Sequence, residues 1–542
     1  MMMTMKKSKI YRLLATGMGI MFFTLSCTDL DEELYDTVTP ENFYKTEDEF
    51  IASLGQAYAA FGGLGNSGNL FSITELASDE LAVATKGGDW YDGGVLIQIH
   101  YHKFAPDNGF FNNAWTQIYG GINTCNRLIY QFQQLNTPAA DAFITELRGV
   151  RALWYYWAID SFGNIPLVVD FTNVDPPATT PRAQVYQFIL SELNEIIPEL
   201  PTAKDASTYG RMTKWAALAI RCKMYLNAGV FTGTPEWQKA ADDANEIITN
   251  GGYSLEPVYK DNFVIDNTKS KENILVYPYD KVFAQGFNFV AMTLSVASTP
   301  MYNLTFQPWN GYQTVEEFYN SYIDPVKNPG PQGPVWKGLT KDANKDGISD
   351  DIGTQDLRLS NFLVGPMYNQ DGTRTLDGGA ESNDFDGPPV TFTPAINEIY
   401  PQGLRQAGAR IAKYEFEVGG TEHMSNDFVI FRLADIILSL AEAKFRLGET
   451  GEALILVNNI RERAGVDPYG ALTLDLLLAE RGREMYVEMT RRQDLIRFGK
   501  FNDPWWEKAA SDTHYNIFPI PKPQLDANKN LKQNPGYPGA GG

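Results

Sequence analysis

The stretch FRLADIILSLAEAKFRLGETGEALILVNNIRERAG at 431–465 decides the fold. Ile430, Leu433, Ala434, Ile437 and Ala441 recur at the three- and four-residue spacing that lines up side chains on one face of a helix. Arg432, Asp435, Ser439, Glu442 and Arg446 form a second, polar stripe. The spacing predicts a helix over Phe428 to Gly448, closed by a glycine that suits a C-cap, and another over 451–464. The same pattern recurs near 47–61, 115–135, 141–161, 182–199, 213–228, 236–249 and 474–499, with short Gly, Pro or Asn turns between. Leaving the first aside, the remaining eight make four pairs. Pairs of this length stack like tetratricopeptide repeats, each burying its apolar face against the next. The expected fold class is therefore all-α, a tetratricopeptide-like helical repeat scaffold of about four helix pairs.

One pair is interrupted. From 257 to 427 the chain is rich in Gly and Pro, as in NPGPQGP at 328–334 and DGGAESNDFDGPP at 377–389, and reads as a large loop-rich irregular insertion. Long loops in an exported protein commonly carry function, so 257–427 is the expected ligand-binding region, between helical parts at 46–256 and 428–542. The helices themselves look structural. Trp154, Tyr155, Tyr156 and Trp157 are consecutive and point all round their helix, as core residues do. Arg461, Arg463, Arg481, Arg483, Arg491 and Arg492 alternate with Glu462, Glu480, Glu484 and Glu488, a pattern of inter-helix ion pairs rather than of ligand contacts.

At the N-terminus, Lys6, Lys7, Lys9 and Arg12 precede the apolar run LLATGMGIMFFTL, Leu13 to Leu25. This is the layout of an export signal, and the run is short of the ~20 residues that cross a bilayer. Ser26 and Cys27 follow, the end of a lipobox in which Thr24 replaces the usual Leu. Residues 1–26 are thus the expected signal peptide, Cys27 the acylated first residue and 27–45 a tether; an ordinary secretory cut is the rival. Several acyl chains on one cysteine hold a protein on a membrane. The remaining cysteines, Cys125 and Cys222, fall inside helical patterns and read as free thiols rather than a disulfide framework. The net charge of −21 becomes more negative still without the leader, which argues against nucleic acid as a partner.

Sugar recognition needs exposed aromatic faces with hydroxyl-binding groups beside them. KGGDWYDGG at 86–94 offers Trp90 and Tyr91 between glycines, with Asp89 and Asp92; QPWNGYQT at 307–314 offers Trp309, Asn310 and Tyr312. Tyr368, Arg374 and Tyr400 are further candidates. The competing reading of each segment is a loop anchor tucked onto the scaffold. DANKDGISDD at 342–351 places Asp342, Asn344, Asp346 and Asp350 at alternate ligand positions, with Gly347 at the turn and the Ile348 carbonyl as a backbone ligand. This suits a structural Ca²⁺, although Gly353 stands where an EF-hand has its bidentate Glu; a solvated acidic turn is the alternative. Enzyme signals are weak. His100 and His102 lack the company of a zinc motif, and acidic neighbours such as Glu316 and Glu317 are expected by chance among 66 acidic residues.

Seven blocks, in order, carry a family resemblance. VTPENFYKTEDEF at 38–50, WTQIYGGINTCNRLI at 115–129, ELRGVRALWYYWAIDSFGNIPLV at 146–168 and YGRMTKWAALAIRCKMYLNAG at 209–229 are similar to segments of SusD-like (RagB/SusD) proteins. So are the opening stretch at 431–465, ERGREMYVEMTRRQDLIRFGKF at 480–501 and IFPIPKPQLDANKNLKQNPGY at 517–537. The resemblance implies a non-catalytic, surface-exposed lipoprotein of the outer membrane that captures glycan and delivers it to a SusC-like TonB-dependent transporter. Its acidic stretch Asp29, Asp31, Glu32 and Glu33 resembles the signal that sends such lipoproteins to the cell surface. Rivals are a receptor of the same fold for peptides or another nutrient, and a surface glycoside hydrolase.

Overall fold

Local capping sets where the long helices begin. Thr46 and Glu49 form a reciprocal capping box at the start of α1 (Glu47–Ala59), and Thr137 caps α3 (Pro138–Phe162), which follows α2 (Gly109–Gln133). Then come α4 (Arg182–Ile196), α5 (Lys214–Leu226, capped by Thr213) and α6 (Trp237–Asn250). After the insertion the chain forms α7 (Leu433–Arg446), α8 (Thr450–Arg463), α9 (Leu474–Met485, capped by Thr473) and α10 (Arg491–Arg497). The structure is a computed structural model and describes residues 46–135, 137–323, 356–378 and 386–539. Helix makes up 47% and strand 9%, so the fold is an all-α scaffold of the tetratricopeptide-like kind. α2 packs on α3, α4 on α5, and α8 on α9. α6 packs on α7 although the whole insertion separates them in sequence. The interrupted pair therefore closes as its spacing implies.

Two boundaries differ from the sequence reading. Phe428–Arg432 is a strand, antiparallel to Asn273–Tyr277 with Phe428 opposite Tyr277, and the helix starts only at Leu433. Val429, Ile430 and Phe431 suit a pleated surface as well as a helix, and the partner strand settles the matter. The predicted helix over 474–499 is two helices. Val487 and Met489 take positive φ between them, where their N–H groups donate to Glu80 and Glu75 at 3.0 and 2.6 Å. A β-branched residue at positive φ is costly and persists because these buried carboxylates hold it.

Trp154 and Tyr155 are fully buried and Tyr156 nearly so, as expected of core, whereas Trp157 is half-buried. Trp154 stacks on Phe61 at 4.8 Å and lies against Gly121, where a Cβ would come within 2.3 Å of the indole. Cys125 and Cys222 are buried free thiols. The arginines do pair between elements. Arg432 bonds Glu272, Glu484 and Glu488 at 2.6–2.7 Å, Arg358 bonds Glu480 at 2.7 Å, and all of these side chains are at most 1% exposed. Burial opposes ionisation of Glu480, but Arg358, Arg483 and Arg461 outweigh it and hold the carboxyl down at about 2. Because Arg358 and Glu272 belong to the insertion, this network fastens the loop-rich region to the helical scaffold.

Candidate functional site

The segments 86–94 and 307–314 meet. Lys86 and Asp89 exchange backbone hydrogen bonds of 3.0 and 3.2 Å around Gly87 and Gly88, and the chain then passes through positive φ at Trp90, Asp92, Gly93 and Gly94. That run of left-handed residues turns neighbouring side chains in opposite directions. The Trp90 ring turns inward: its Nε1–H donates to the Trp309 carbonyl at 2.6 Å and it stands edge-on to Tyr312, 5.9 Å between centroids. A Cβ on Gly311 would lie 2.4 Å from the indole, so only glycine lets this ring seat. Residues 309–311 are in turn bonded through their N–H groups to the Ala291, Leu294 and Met292 carbonyls at 2.7–2.8 Å. Trp90 is half-buried and serves chiefly as the tie between two loops.

Tyr91 turns outward. It is 44% exposed and faces Tyr400, itself 50% exposed, with centroids 5.5 Å apart and planes inclined at 35°. The Tyr400 loop is fixed from below, since Thr85 N–H donates to the Ile399 carbonyl at 2.8 Å and Gly403 N–H to the Thr85 carbonyl at 2.7 Å. The Tyr400–Pro401 peptide is cis. Asp89 and Asp92 are exposed beside the pair, as are Asn397 and Gln402. Lys86 is turned in, buried and bonded to the Ala84 carbonyl at 3.1 Å, and burial lowers its ammonium pKa well below the usual lysine range. The outer face is therefore two aromatic surfaces ringed by carboxylates and amides. Such a face packs on the C–H side of a sugar ring while accepting hydrogen bonds from its hydroxyls.

The other expected contacts are placed differently. Tyr312 is wholly buried, its hydroxyl within 2.9 Å of Ser67 and 2.7 Å of Ser72, so its ring is core and not a stacking surface. Trp309 and Asn310 are half-buried, and the Asn310 Oδ1 has no hydrogen-bond partner among the described residues. Arg374 lies over Tyr368 at 5.3 Å and donates to the Met367 and Val390 carbonyls at 3.2 and 2.8 Å, so its guanidinium holds its own hairpin together. Asp342, Asn344, Asp346, Ile348 and Asp350 lie outside the described residues, as does Cys27. Among the described residues no cluster of His, Cys, Asp or Glu could hold a metal ion. His102 bonds Ser511 and the Ala77 carbonyl, both at 2.9 Å, and burial pushes it down to about 2.

Two features escaped the sequence reading. Trp505 and Trp506, in NDPWWEKAA at 502–510, are tied to the Tyr400 loop through Glu507, whose carboxylate accepts from Ile399 N–H and from the Tyr101 hydroxyl, both at 3.2 Å. Adjacent tryptophans after a proline were the available signal. Phe283 is 92% exposed at the tip of a turn closed by the Asp280 carboxylate, which accepts from Val282 and Phe283 N–H at 2.8 Å.

Comparison with known proteins bears on the whole chain. The SusD family matches residues 256–537, and a second family, described as starch-binding and associating with the outer membrane, matches 37–226. The starch-binding protein SusD of Bacteroides thetaiotaomicron is 28% identical over 491 residues, 86% of this chain and 85% of that protein. A laminarin-binding SusD-like protein of known structure superposes with a TM-score of 0.69 at 22% identity, covering 91% of this chain and all of that one. Surface glycan-binding protein A from Bacteroides thetaiotaomicron, solved with laminarihexaose, gives 0.69 at 20% identity over 90% and 99% of the two chains. With its helical scaffold in common and the SusD match spanning more than half of its length, the chain belongs to the SusD family.

Proposed function

We propose that the protein is a non-catalytic glycan receptor of the outer membrane, lipid-anchored through Cys27 on the cell surface, which captures oligo- or polysaccharide and delivers it to a SusC-like TonB-dependent transporter. The observation that carries the reading is the Tyr91–Tyr400 pair, two half-exposed rings inclined at 35° on loops whose backbones are bonded to each other. Rings held in this way lose little conformational freedom on binding, which favours them as anchors. The SusD relative is a starch-binding protein and the first structural neighbour a laminarin-binding one, and starch and laminarin are both glycans. Asp89 and Asp92 accept hydroxyl hydrogens, and Trp90 holds the platform to the 307–314 loop. Ca²⁺ at Asp342, Asn344, Asp346, the Ile348 carbonyl and Asp350 would stiffen a loop of the insertion.

The test is affinity electrophoresis and titration against a polysaccharide panel and a peptide mixture, with Tyr91→Ala and Tyr400→Ala. Losing an aromatic anchor commonly costs about 2 kcal/mol, a roughly thirtyfold weakening. Undiminished glycan binding in both variants refutes the platform, and retention of peptides alone refutes the glycan. For the anchor, Cys27→Ala is expected to leave the outer-membrane fraction.

A further inference from the structure

Among the described residues the exposed Tyr, Phe and Trp rings are those of Tyr91, Tyr130, Phe171, Phe283 and Tyr400, and all but Phe283 stand in pairs. The second pair repeats the geometry of the first. Tyr130, in the last turn of α2, and Phe171, on the loop after α3, have centroids 6.0 Å apart and planes inclined at 37°, against 5.5 Å and 35° for Tyr91 and Tyr400. Tyr130 is 39% exposed and Phe171 37%, so each offers surface to solvent, and Val169 and Val174 are exposed beside them. Single apolar residues at a surface need no explanation, but a gathered patch marks a place where something docks. The Phe171 loop is held at both ends. Before it, the Val168 carbonyl accepts from the Tyr155 hydroxyl at 2.7 Å and from the Asn126 amide at 2.8 Å. After it, the Pro176 and Pro177 carbonyls accept from the Asn530 and Asn528 amides at 2.7 and 2.8 Å. Within it, the Asp170 carboxylate accepts from the Thr172 N–H and hydroxyl at 2.8 and 2.7 Å, and Asn173 Oδ1 from the Asp175 N–H at 3.0 Å. A loop closed in this way presents its ring with little freedom left to lose on binding. Exposed Asp170, Asn173 and Asp175 interleave with Phe171 and Val174, and Gln134 is exposed one turn beyond Tyr130. Carboxylates and amides set among the rings suit sugar hydroxyls, whereas the core of a protein interface is depleted in charge.

We propose that Tyr130 and Phe171 form a second glycan-binding site, which grips a distant part of the polysaccharide chain that lies on Tyr91 and Tyr400. The inference rests on the glycan reading of that first pair. The two pairs stand towards opposite ends of α2. Tyr91 is near its N-terminus, because the Gly94 N–H donates to the Tyr91 carbonyl at 2.6 Å and Asn108, which caps α2, donates to the Val95 carbonyl at 3.0 Å. From Asn108 to Tyr130 the helix rises about 33 Å at roughly 1.5 Å per residue. A trisaccharide does not reach across that distance, and a polysaccharide does. Once a polymer is held at one site, its other end meets the second at high effective concentration, so affinity rises for the polymer and not for short oligosaccharides. The second site therefore selects chain length.

The experiment measures retention in native gels containing each polysaccharide of the panel, amylopectin and laminarin among them, and titrates the matching trisaccharide, such as maltotriose or laminaritriose. It compares wild type with Tyr130→Ala, Phe171→Ala, Phe171→Tyr, the double variant Tyr91→Ala/Tyr400→Ala, and that double variant with Phe171→Ala added, with melts alongside. Tyr130 and Phe171 are at the surface, so their single variants are expected to melt as wild type does. Tyr130→Ala and Phe171→Ala are each expected to weaken polysaccharide binding about tenfold and to leave trisaccharide affinity unchanged, the loss of the second of two linked contacts. Phe171→Tyr keeps the ring and is expected to be retained as wild type is. The platform double variant is expected to keep a weak retention that Phe171→Ala abolishes. Unchanged retention of both Tyr130→Ala and Phe171→Ala overturns the second site, equal weakening for polymer and trisaccharide overturns its separateness, and loss in Phe171→Tyr as in Phe171→Ala overturns the stacking. Unchanged retention together with loss of transporter co-purification from outer membranes carrying Phe171→Ala assigns the patch to protein docking and overturns the glycan site. A silent platform double variant combined with an active Phe171→Ala refutes the platform and leaves this site standing; no retention of wild type by any polysaccharide refutes both.

Discussion

Glu75 and Glu80 are buried side by side, and the pair makes the protein's stability fall as the pH rises above about 5. One oxygen of each accepts from the positive-φ backbone between α9 and α10, at Met489 and Val487; the other oxygens, Glu75 Oε2 and Glu80 Oε1, have no partner among the described residues beyond the opposing carboxyl. Two carboxylates left facing one another must keep a proton between them. Burial raises Glu75 from 4.5 to about 7, against the counteracting Glu80 hydrogen bond and Lys413 and with Glu488 adding to the rise. Burial and Glu75 raise Glu80 further, with Arg491 opposing and Asp79 adding. A carboxyl whose pKa is higher folded than unfolded stabilises the fold below its unfolded value and loses that contribution as the pH climbs through the folded one. For Glu75 the window runs from 4.5 to about 7, a loss on the order of 3 kcal/mol at 1.36 kcal/mol per unit. Unfolding entropy for roughly 500 ordered residues is about 1 kcal/mol/K, so the expected change is about 3 °C. Glu75→Gln keeps the acceptor for Met489 and bonds Glu80 in either protonation state. Circular-dichroism melts are expected to show little difference at pH 5 and a variant about 3 °C more stable at pH 8. A variant that matches wild type at both values, or is weakest at pH 8, refutes the shared proton.

Arg432→Met leaves Glu272, Glu484 and Glu488 buried without their shared cation, and denaturant unfolding is expected to show a loss of about 3–5 kcal/mol. Trp90→Ala unlocks the two loops, so it is expected to lower both melting temperature and glycan affinity, whereas Tyr91→Ala lowers affinity alone; equal melts for the two variants argue against the tie. Acid unfolding is expected to set in below the ordinary glutamate range as Glu480, held at about 2 when folded, takes up its proton, and Glu480→Gln shortens that limb in a pH-melt series. If the 342–351 segment binds Ca²⁺ at a hundred times its dissociation constant, chelation removes about 2.7 kcal/mol, read as a drop in melting temperature that added Ca²⁺ restores.

The scaffold was legible because helix pairing leaves a local mark. Apolar spacing in α7 and α8 is visible within thirty-five residues, and the α6–α7 pair follows from counting helices even across the insertion. What failed was whatever depends on distant partners. Val429, Ile430 and Phe431 form a strand because Asn273–Tyr277 lies beside them, and α9 stops at Met485 because Glu75 and Glu80, some four hundred residues earlier, capture the backbone beyond it.

The candidate site divides along the same line. Glycine-flanked loops identified 86–94 and 307–314 as places where aromatic rings could meet solvent, and the two segments do meet. Which ring faces out is decided by contacts the local sequence does not contain. Tyr312 turns in because its hydroxyl is hydrogen-bonded to both Ser67 and Ser72; Trp90 turns in because Gly311 leaves room for its indole. Tyr91 is then left outside, next to a Tyr400 brought there by backbone bonds to Thr85. An aromatic pair assembled from residues more than three hundred apart is a tertiary product, and so is the step from Tyr400 through Glu507 to Trp505. A repeat scaffold can keep its helices constant and change its ligand by altering these loop contacts alone, since the ionic network that fastens the insertion touches none of the exposed rings.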